Sequence, residues 1–316
     1  MKKYLEDLRK ELQKRHMSET EIADIIADHE EMINNAIEAG LNEDELKDKF
    51  GDPHRLADEL AGNETNSEAD EEDYILWKTF AVSGDSYSVE IKSTDEDISF
   101  RPSRDGQIRV FYTGKSPSDK VSCTFENNKL VFTTPKMREL FFFMRSHGDS
   151  ASYVIELPAK LVVDEFTLTN INGDCRLEGL TINHFVINTT NGDINCHNLS
   201  IGDVKWNTVN GDMSLSSSKA GSIFTSQISG DMTLKKLEVD EGIKMTSVSG
   251  DIRVEDSTCG ELDLNTVSGD LIGKEFYPHK IVLRTISGDV RISNSEKTEI
   301  AIDKQRSLSG DIRITP

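Results

Sequence analysis

Eight carboxylates recur along the chain, each in the order polar residue, Gly, Asp: Asn172-Gly173-Asp174, Asn191-Gly192-Asp193, Asn210-Gly211-Asp212, Ser229-Gly230-Asp231, Ser249-Gly250-Asp251, Ser268-Gly269-Asp270, Ser287-Gly288-Asp289 and Ser309-Gly310-Asp311. The glycines stand 19, 19, 19, 20, 19, 19 and 22 residues apart. A row of carboxylates at fixed spacing could hold weak cation sites, form an acidic ridge for a basic partner, or include an acid–base pair that hydrolyses a glycan. Glycan chemistry needs a carboxylate pair at one unusual place, and these carboxylates recur identically. Calcium-binding solenoid repeats have a nine-residue, multi-glycine period, which this chain does not show. The structural alternative is that each Asp caps backbone N–H groups at its own turn.

Such a cap would answer an electrostatic problem. Stacked coils lie about 4.8 Å apart, and like charges at that spacing repel by about 0.9 kcal/mol in water. Capping, water and the outward arginines Arg176, Arg253, Arg291 and Arg313 would relieve that repulsion. On this reading no residue is assigned a catalytic, cofactor-binding or metal-binding role.

A period near 20 is the mark of stacked coils, each burying its apolar edge against the next. With glycine as zero, the residues two before it are Ile171, Thr190, Val209, Ile228, Val248, Val267, Ile286 and Leu308; two after come Cys175, Ile194, Met213, Met232, Ile252, Leu271, Val290 and Ile312. Leu177, Cys196, Leu215, Leu234, Val254, Gly273, Ile292 and Ile314 follow at four after, and a second apolar pair lies near twelve and fourteen, as in Leu262 with Leu264. The pattern predicts two inward-facing strands per coil, with both columns and the glycine between them turned inward. The Asn/Ser, Asp and Arg columns fall outward. Trp206, Cys175, Cys196 and Cys259 read as core, and no cysteine has metal-ligand or CxxC spacing.

The 169–316 region is therefore a regular β-solenoid. Residues 74–168 read as an irregular β region with N-terminal coils and a cap, carrying period-two strands near 88–93, 107–112 and 129–133. Val82-Ser83-Gly84-Asp85 repeats the motif once, and Thr94-Asp95-Glu96-Asp97-Ile98 is a degenerate copy. Leu140-Phe141-Phe142-Phe143-Met144, the least polar run, reads as a plug over the solenoid's N-terminal end.

Ahead of these lies a helical head, residues 1–62. Tyr4, Leu5, Leu8 and Leu12 give one amphipathic helix; Ser18 with Glu21 caps a second that carries Ile22, Ile25, Ile26, His29, Met32 and Ile33. Asn42 with Glu45 starts a short third helix, and Asp52-Pro53 a fourth. His29 lies on the apolar stripe as a core histidine, and His16 and His54 are assigned no chemistry. Residues 63–73, acidic and short of core formers, read as a mobile tether.

Net charge is −21, distributed as −8 over residues 1–62, −6 over 63–73 and −7 over 74–316. That balance repels phosphate backbones, so nucleic acid is excluded as a direct ligand. Acidic residues follow the N-terminal lysines where a signal peptide would be apolar, and no stretch reaches the ~18 apolar residues of a membrane helix. The expected compartment is the cytoplasm, with a non-classical route to the cell surface as the alternative. The strand ending at Ile314-Thr315-Pro316 leaves a coil edge open to homo-oligomerisation, blunted by Pro316.

Two resemblances rest on these residues. Lys49-Phe50-Gly51-Asp52-Pro53-His54-Arg55-Leu56-Ala57-Asp58-Glu59-Leu60 resembles the signature of a bacterial helical signalling domain (HAAS/DUF1700-like), which implies a protein partner for the head. The Ser-Gly-Asp-Ile element and Ser150–Pro158 resemble a bacterial candidate-adhesin β-solenoid family (DUF4097-like), which implies a parallel β-helix of ~19-residue coils. Together they imply a non-enzymatic binding or scaffold protein in cell-envelope stress sensing or regulation. The alternatives are a surface adhesin that binds a glycan or protein, and a carbohydrate-active β-helix enzyme.

Overall fold

The computed structural model describes residues 2–14, the helical positions 22, 25, 26, 29, 33 and 53, and residues 74–114, 116–135, 152–296 and 300–315. Two compact units divide the chain at Asp73 and Tyr74.

In the first unit, α1 (Lys2–Lys14) turns Leu8 and Leu12 onto Ile22, with Tyr4, Ile25 and Ile26 packed around them. The stripe therefore finds the partner its spacing required. His29 Nδ1 donates to the Ile25 carbonyl at 2.9 Å, one turn back along its own helix. That bond satisfies Nδ1 locally, and the ring is half-buried rather than in the core. The proposed third helix, the first residues of the fourth other than Pro53, and the 63–73 tether lie outside the described residues.

The second unit is a β-solenoid of about eight turns. Its early strands are β1 (Ile75–Ala81), β2 (Ser86–Lys92), β3 (Ile98–Ser103), β4 (Gln107–Thr113), β5 (Ser122–Glu126), β6 (Lys129–Thr133) and β7 (Ser152–Pro158). Regular coils follow as β8 (Val162–Asn170), β9 (Cys175–Glu178), β10 (Thr181–Thr189), β11 (Ile194–His197) and β12 (Ser200–Thr208). In the next coils both segments of a turn merge into long bent strands, β13 (Met213–Gln227), β14 (Met232–Ser247), β15 (Ile252–Thr266) and β16 (Leu271–Thr285). The next coil comprises β17 (Val290–Ser293) and β18 (Ala301–Ser307), and β19 (Ile312–Thr315) stacks on β17 as the start of another.

Coils stack in parallel, but the early ones do not stack in chain order. β2 lies between β6 and β8, and β3 between β7 and β9. The coil of β2 and β3 is thus inserted between one that contains β6 and β7 and one that contains β8 and β9. The backbone bond Ser93 N–H to Thr169 O spans this junction and joins residues 76 apart, whereas later coils bond to neighbours 18 to 23 residues away. Beyond β7 lie β4 and then β1, both antiparallel, and β5 runs antiparallel to β6. These strands cover the N-terminal end of the core with Trp77, Phe80, Val121 and Phe125. The run Leu140–Met144, expected to be the plug, lies outside the described residues.

The core itself is one continuous apolar column set. Positions two and four after glycine are buried from Cys175 to Ile292, and so are Leu262, Leu264, Ile281 and Leu283 of the opposite wall. Phe100, Phe166 and Phe185 stack edge to face through three coils, with centroids 5.0 and 5.2 Å apart. At Gly273, which interrupts the apolar column four after glycine, Phe276 takes up the space, its ring approaching within 3.1 Å of where a Cβ would stand.

Candidate functional site

The repeated aspartates form a single hydrogen-bonded column along one corner of the solenoid. The backbone N–H of Asp174 donates to Asp97 Oδ1 at 2.9 Å, and Asp193 donates to Asp174 Oδ1 at 2.9 Å. Asp212, Asp231, Asp251, Asp270, Asp289 and Asp311 continue the series, each donating to the aspartate one coil earlier at 2.7–3.0 Å. Each carboxylate therefore caps the next coil's turn, not its own as the sequence implied. Residues stacked one coil apart bring the donor into the carboxylate's reach, a relation no local turn rule contains. Charge-assisted bonds of this type offset the repulsion between stacked carboxylates.

Arginines reinforce the column where the sequence supplies them. Arg253 lies 3.1 Å from Asp231 and 3.6 Å from Asp251; Arg291 bonds Asp289 at 2.6 Å, and Arg313 bonds Asp311 at 3.3 Å. Among the described residues no group of three His, Cys, Asp or Glu side chains could hold a metal ion.

Two copies of the motif in the early region trade places. The degenerate copy is the true first rung: Asn172 N–H donates to Thr94 O at 2.8 Å, and Asp97 caps Asp174. The better-matching Val82-Ser83-Gly84-Asp85 sits at a different corner, where Asn128 Nδ2 donates to Ser83 O at 2.6 Å.

Glycine is required at the corner, although for a different neighbour than alternation predicts. A Cβ on Gly211 would lie 2.0 Å from the carbonyl oxygen of Gly192, and one on Gly192 would lie 1.9 Å from that of Gly173. Glycine backbones thus stack directly on one another along the axis, and the first atom a Cβ would strike is a backbone carbonyl oxygen, with the Asn170 and Gln227 side chains next, 3.0 Å from a Cβ on Gly192 and Gly250.

From Val209 onward the column two before glycine, expected to be inward, is instead exposed, while Ile171 and Thr190 are half-buried. Val209 is 36% exposed, Ile228 53%, Val248 46%, Val267 43%, Ile286 49% and Leu308 83%. Inward in its place is the column three before glycine: Asn170, Thr189, Thr208, Gln227, Ser247, Thr266 and Thr285, all buried. These polar side chains tie down their own corners. Thr285 Oγ1 donates to Gly288 O at 3.2 Å and accepts from its N–H at 3.0 Å, Thr189 Oγ1 reaches Gly192 O at 3.3 Å, and Asn170 and Gln227 donate to Gly173 O and Gly230 O. An unbroken run of Asn, Thr, Gln and Ser at one position was the signal for it, and alternation read one residue out of phase.

Beside the stripe runs a second ladder. Asn191 Nδ2 donates to Asn172 Oδ1 at 2.8 Å, Asn210 Nδ2 to Asn191 Oδ1 at 2.8 Å, and Ser229 Oγ to Asn210 Oδ1 at 2.7 Å. Further on, Ser249, Ser268, Ser287 and Ser309 hydroxyls donate to main-chain carbonyls of the preceding coil. The corner thus presents aliphatic side chains flanked by polar groups that already have partners.

This repeat geometry agrees with what the sequence matches. The family model of Toastrack DUF4097 matches residues 87–271 and 202–316. The chain belongs to the Toastrack family. Residues 3–59 of this Toastrack chain match the HAAS model. No curated protein shows a significant sequence match. Among solved structures, a candidate adhesin from Bacteroides fragilis NCTC 9343 aligns at 15% identity over 76% of this chain and 95% of its own, with a TM-score of 0.49. One from Parabacteroides distasonis ATCC 8503 aligns at 15% identity over 76% and 97%, also with a TM-score of 0.49.

The remaining reactive side chains of the Toastrack unit are placed as core. Cys123, Cys175, Cys196 and Cys259 are all free and buried. Burial pushes the Cys123, Cys175 and Cys259 thiols up to about 12, and Cys196 also upward, so none is a ready nucleophile. Trp206 is 2% exposed, as its inward column required. No helix among the described residues is long and apolar enough to cross a membrane.

Proposed function

We propose that this Toastrack chain is a non-enzymatic binding or scaffold protein whose solenoid recognises a protein through its apolar corner stripe. The helical head engages a second protein partner, in keeping with its HAAS match, and the setting is cell-envelope stress sensing or regulation from the cytoplasm. One observation carries the reading: six aliphatic residues, Val209 to Leu308, stand exposed in a row. Contiguous exposed apolar surface on a folded protein marks an interaction site. Covering this one removes hydrocarbon from water while the flanking Asn, Ser and Asp side chains keep their existing hydrogen bonds. Against catalysis stands the use of seven of the eight repeated carboxylates, Asp174 to Asp289, as backbone caps.

The test compares cross-linked partners of the wild-type chain with those of an Ile228→Asp/Val248→Asp/Val267→Asp variant in the native host. Unfolding midpoints measured alongside show that both are folded. The reading expects a partner lost selectively from the variant; the same partners captured equally by both would refute it. Protease treatment of intact cells separates the adhesin alternative, since a surface protein is cleaved and a cytoplasmic one is not. Turnover of any glycan that a single Asp change abolished would replace the whole reading with an enzyme.

A further inference from the structure

Between the coils closed by Gly211 and Gly230 the corner changes type. The residue before glycine switches from Asn at 172, 191 and 210 to Ser from 229 onward. Glycine φ is positive at Gly230, Gly250 and Gly269, at +108°, +108° and +115°, and not at Gly211 before them or at Gly288 and Gly310 after them. The buried polar residue three before glycine becomes Gln227, between Thr208 and Ser247 of the adjoining coils.

At this seam three side-chain atoms are buried without a protein hydrogen-bond partner: Trp206 Nε1, Thr225 Oγ1 and Gln227 Oε1. Their residues are 2%, 6% and 2% exposed. Trp206 and Thr225 are register partners on neighbouring strands. Gln227 follows Thr225 by two residues and so projects to the same interior side. Its Nε2 donates to the Gly230 carbonyl, which fixes Oε1 as the unpartnered end. Unpaired buried polar atoms are uncommon in folded proteins, and three on adjoining positions call for one shared explanation.

We infer that the solenoid core binds one ordered water molecule at this seam, held by Trp206, Thr225 and Gln227. The water accepts from Trp206 Nε1–H, donates to Gln227 Oε1 and shares a hydrogen bond with Thr225 Oγ1. One donor, one acceptor and one hydroxyl that serves as either match the two-donor, two-acceptor capacity of water, and three partners lie in the range typical of buried waters. No charged group is among them, so an ion is not the occupant. The core column runs Leu168, Ile187, Trp206, Thr225, Met245, Leu264, Leu283, so Thr225 is its shortest side chain and stands beside the Trp206 ring.

The test is a crystal structure of the full chain at a resolution that places waters, with nuclear Overhauser transfer from water to the indole N–H groups of the same protein. The inference expects one water within about 3.2 Å of all three atoms. It also expects a water cross-peak at the Trp206 indole that is lost in Thr225→Val, with Trp77 as the reference indole. A dry site, or Trp206 Nε1 bonded to a protein atom, overturns it, as does a cross-peak unchanged in Thr225→Val. Should that variant not fold, the wild-type crystal and spectrum decide alone.

Discussion

The backbone N–H of Asp212 donates to Oδ1 of Asp193 at 2.8 Å, joining residues one full coil apart. The relation repeats along the corner, so a residue type that reads as chemistry in the sequence serves as the fastener between coils.

Gly211→Ala should be among the most damaging single changes in the solenoid. Its Cβ would lie 2.0 Å from the Gly192 carbonyl oxygen, and only a backbone shift through both coils could relieve the overlap. We expect a loss of roughly 3 kcal/mol or more, measured by urea unfolding. Gly273→Ala is the comparison: its nearest neighbour is a Phe276 ring carbon at 3.1 Å, which can give slightly. It should cost clearly less.

How much of this was legible depends on the column. The buried positions two and four after glycine follow from apolar alternation and needed nothing more. The position two before glycine did not, because at the corner the chain stops alternating and the polar residue three before it, Thr266 or Thr285 for example, turns inward to bond the turn. Composition favoured Val267 and Ile286 for the core, while the turn's unpaired backbone groups claimed the inward place for a hydroxyl. The early coils were hidden for another reason. Asp97 joins the column through Asp174, which is 77 residues away, so no 19-residue period could reveal it.

A second corner holds six residues in the left-handed region: Gly179, Asn198, Ser217, Lys236, Asp256 and Glu275, with φ between +48° and +66°. That conformation costs a non-glycine residue about 1–2 kcal/mol, and glycine gives back about 0.5–1 kcal/mol of it as lost chain entropy. Lys236→Gly should therefore stabilise the protein by roughly 0.5–1 kcal/mol, seen as a higher thermal midpoint. Asn198→Gly should change it less, since Asn tolerates the region.

Alkaline pH should weaken the fold through its buried thiols. Burial raises Cys123, Cys175 and Cys259 from an ordinary value of 9.0 to about 12 in the native state. Folded pKa values above the unfolded ones mean that the native state holds its protons longer. This contribution is complete below pH 9 and is lost as pH rises from there towards 12. Unfolding midpoints should fall over that window, and less steeply in a Cys123→Ala/Cys259→Ala variant relative to its own neutral value. At neutral pH none of the four cysteines should react with a thiol reagent until denaturant is added.

The most direct measurement of the structural reading of the aspartates is the stability of Asp212→Asn against Asp212→Ala by chemical denaturation. Asn keeps an Oδ1 that can accept the Asp231 N–H, a bond of 2.7 Å in the native column, while Ala removes it. We predict that Ala costs about 1–2 kcal/mol and Asn less than half as much, with calcium changing neither midpoint. An Asn variant as unstable as the Ala variant, or a wild-type midpoint that climbs with calcium, would show that the column works by charge and would contradict the account.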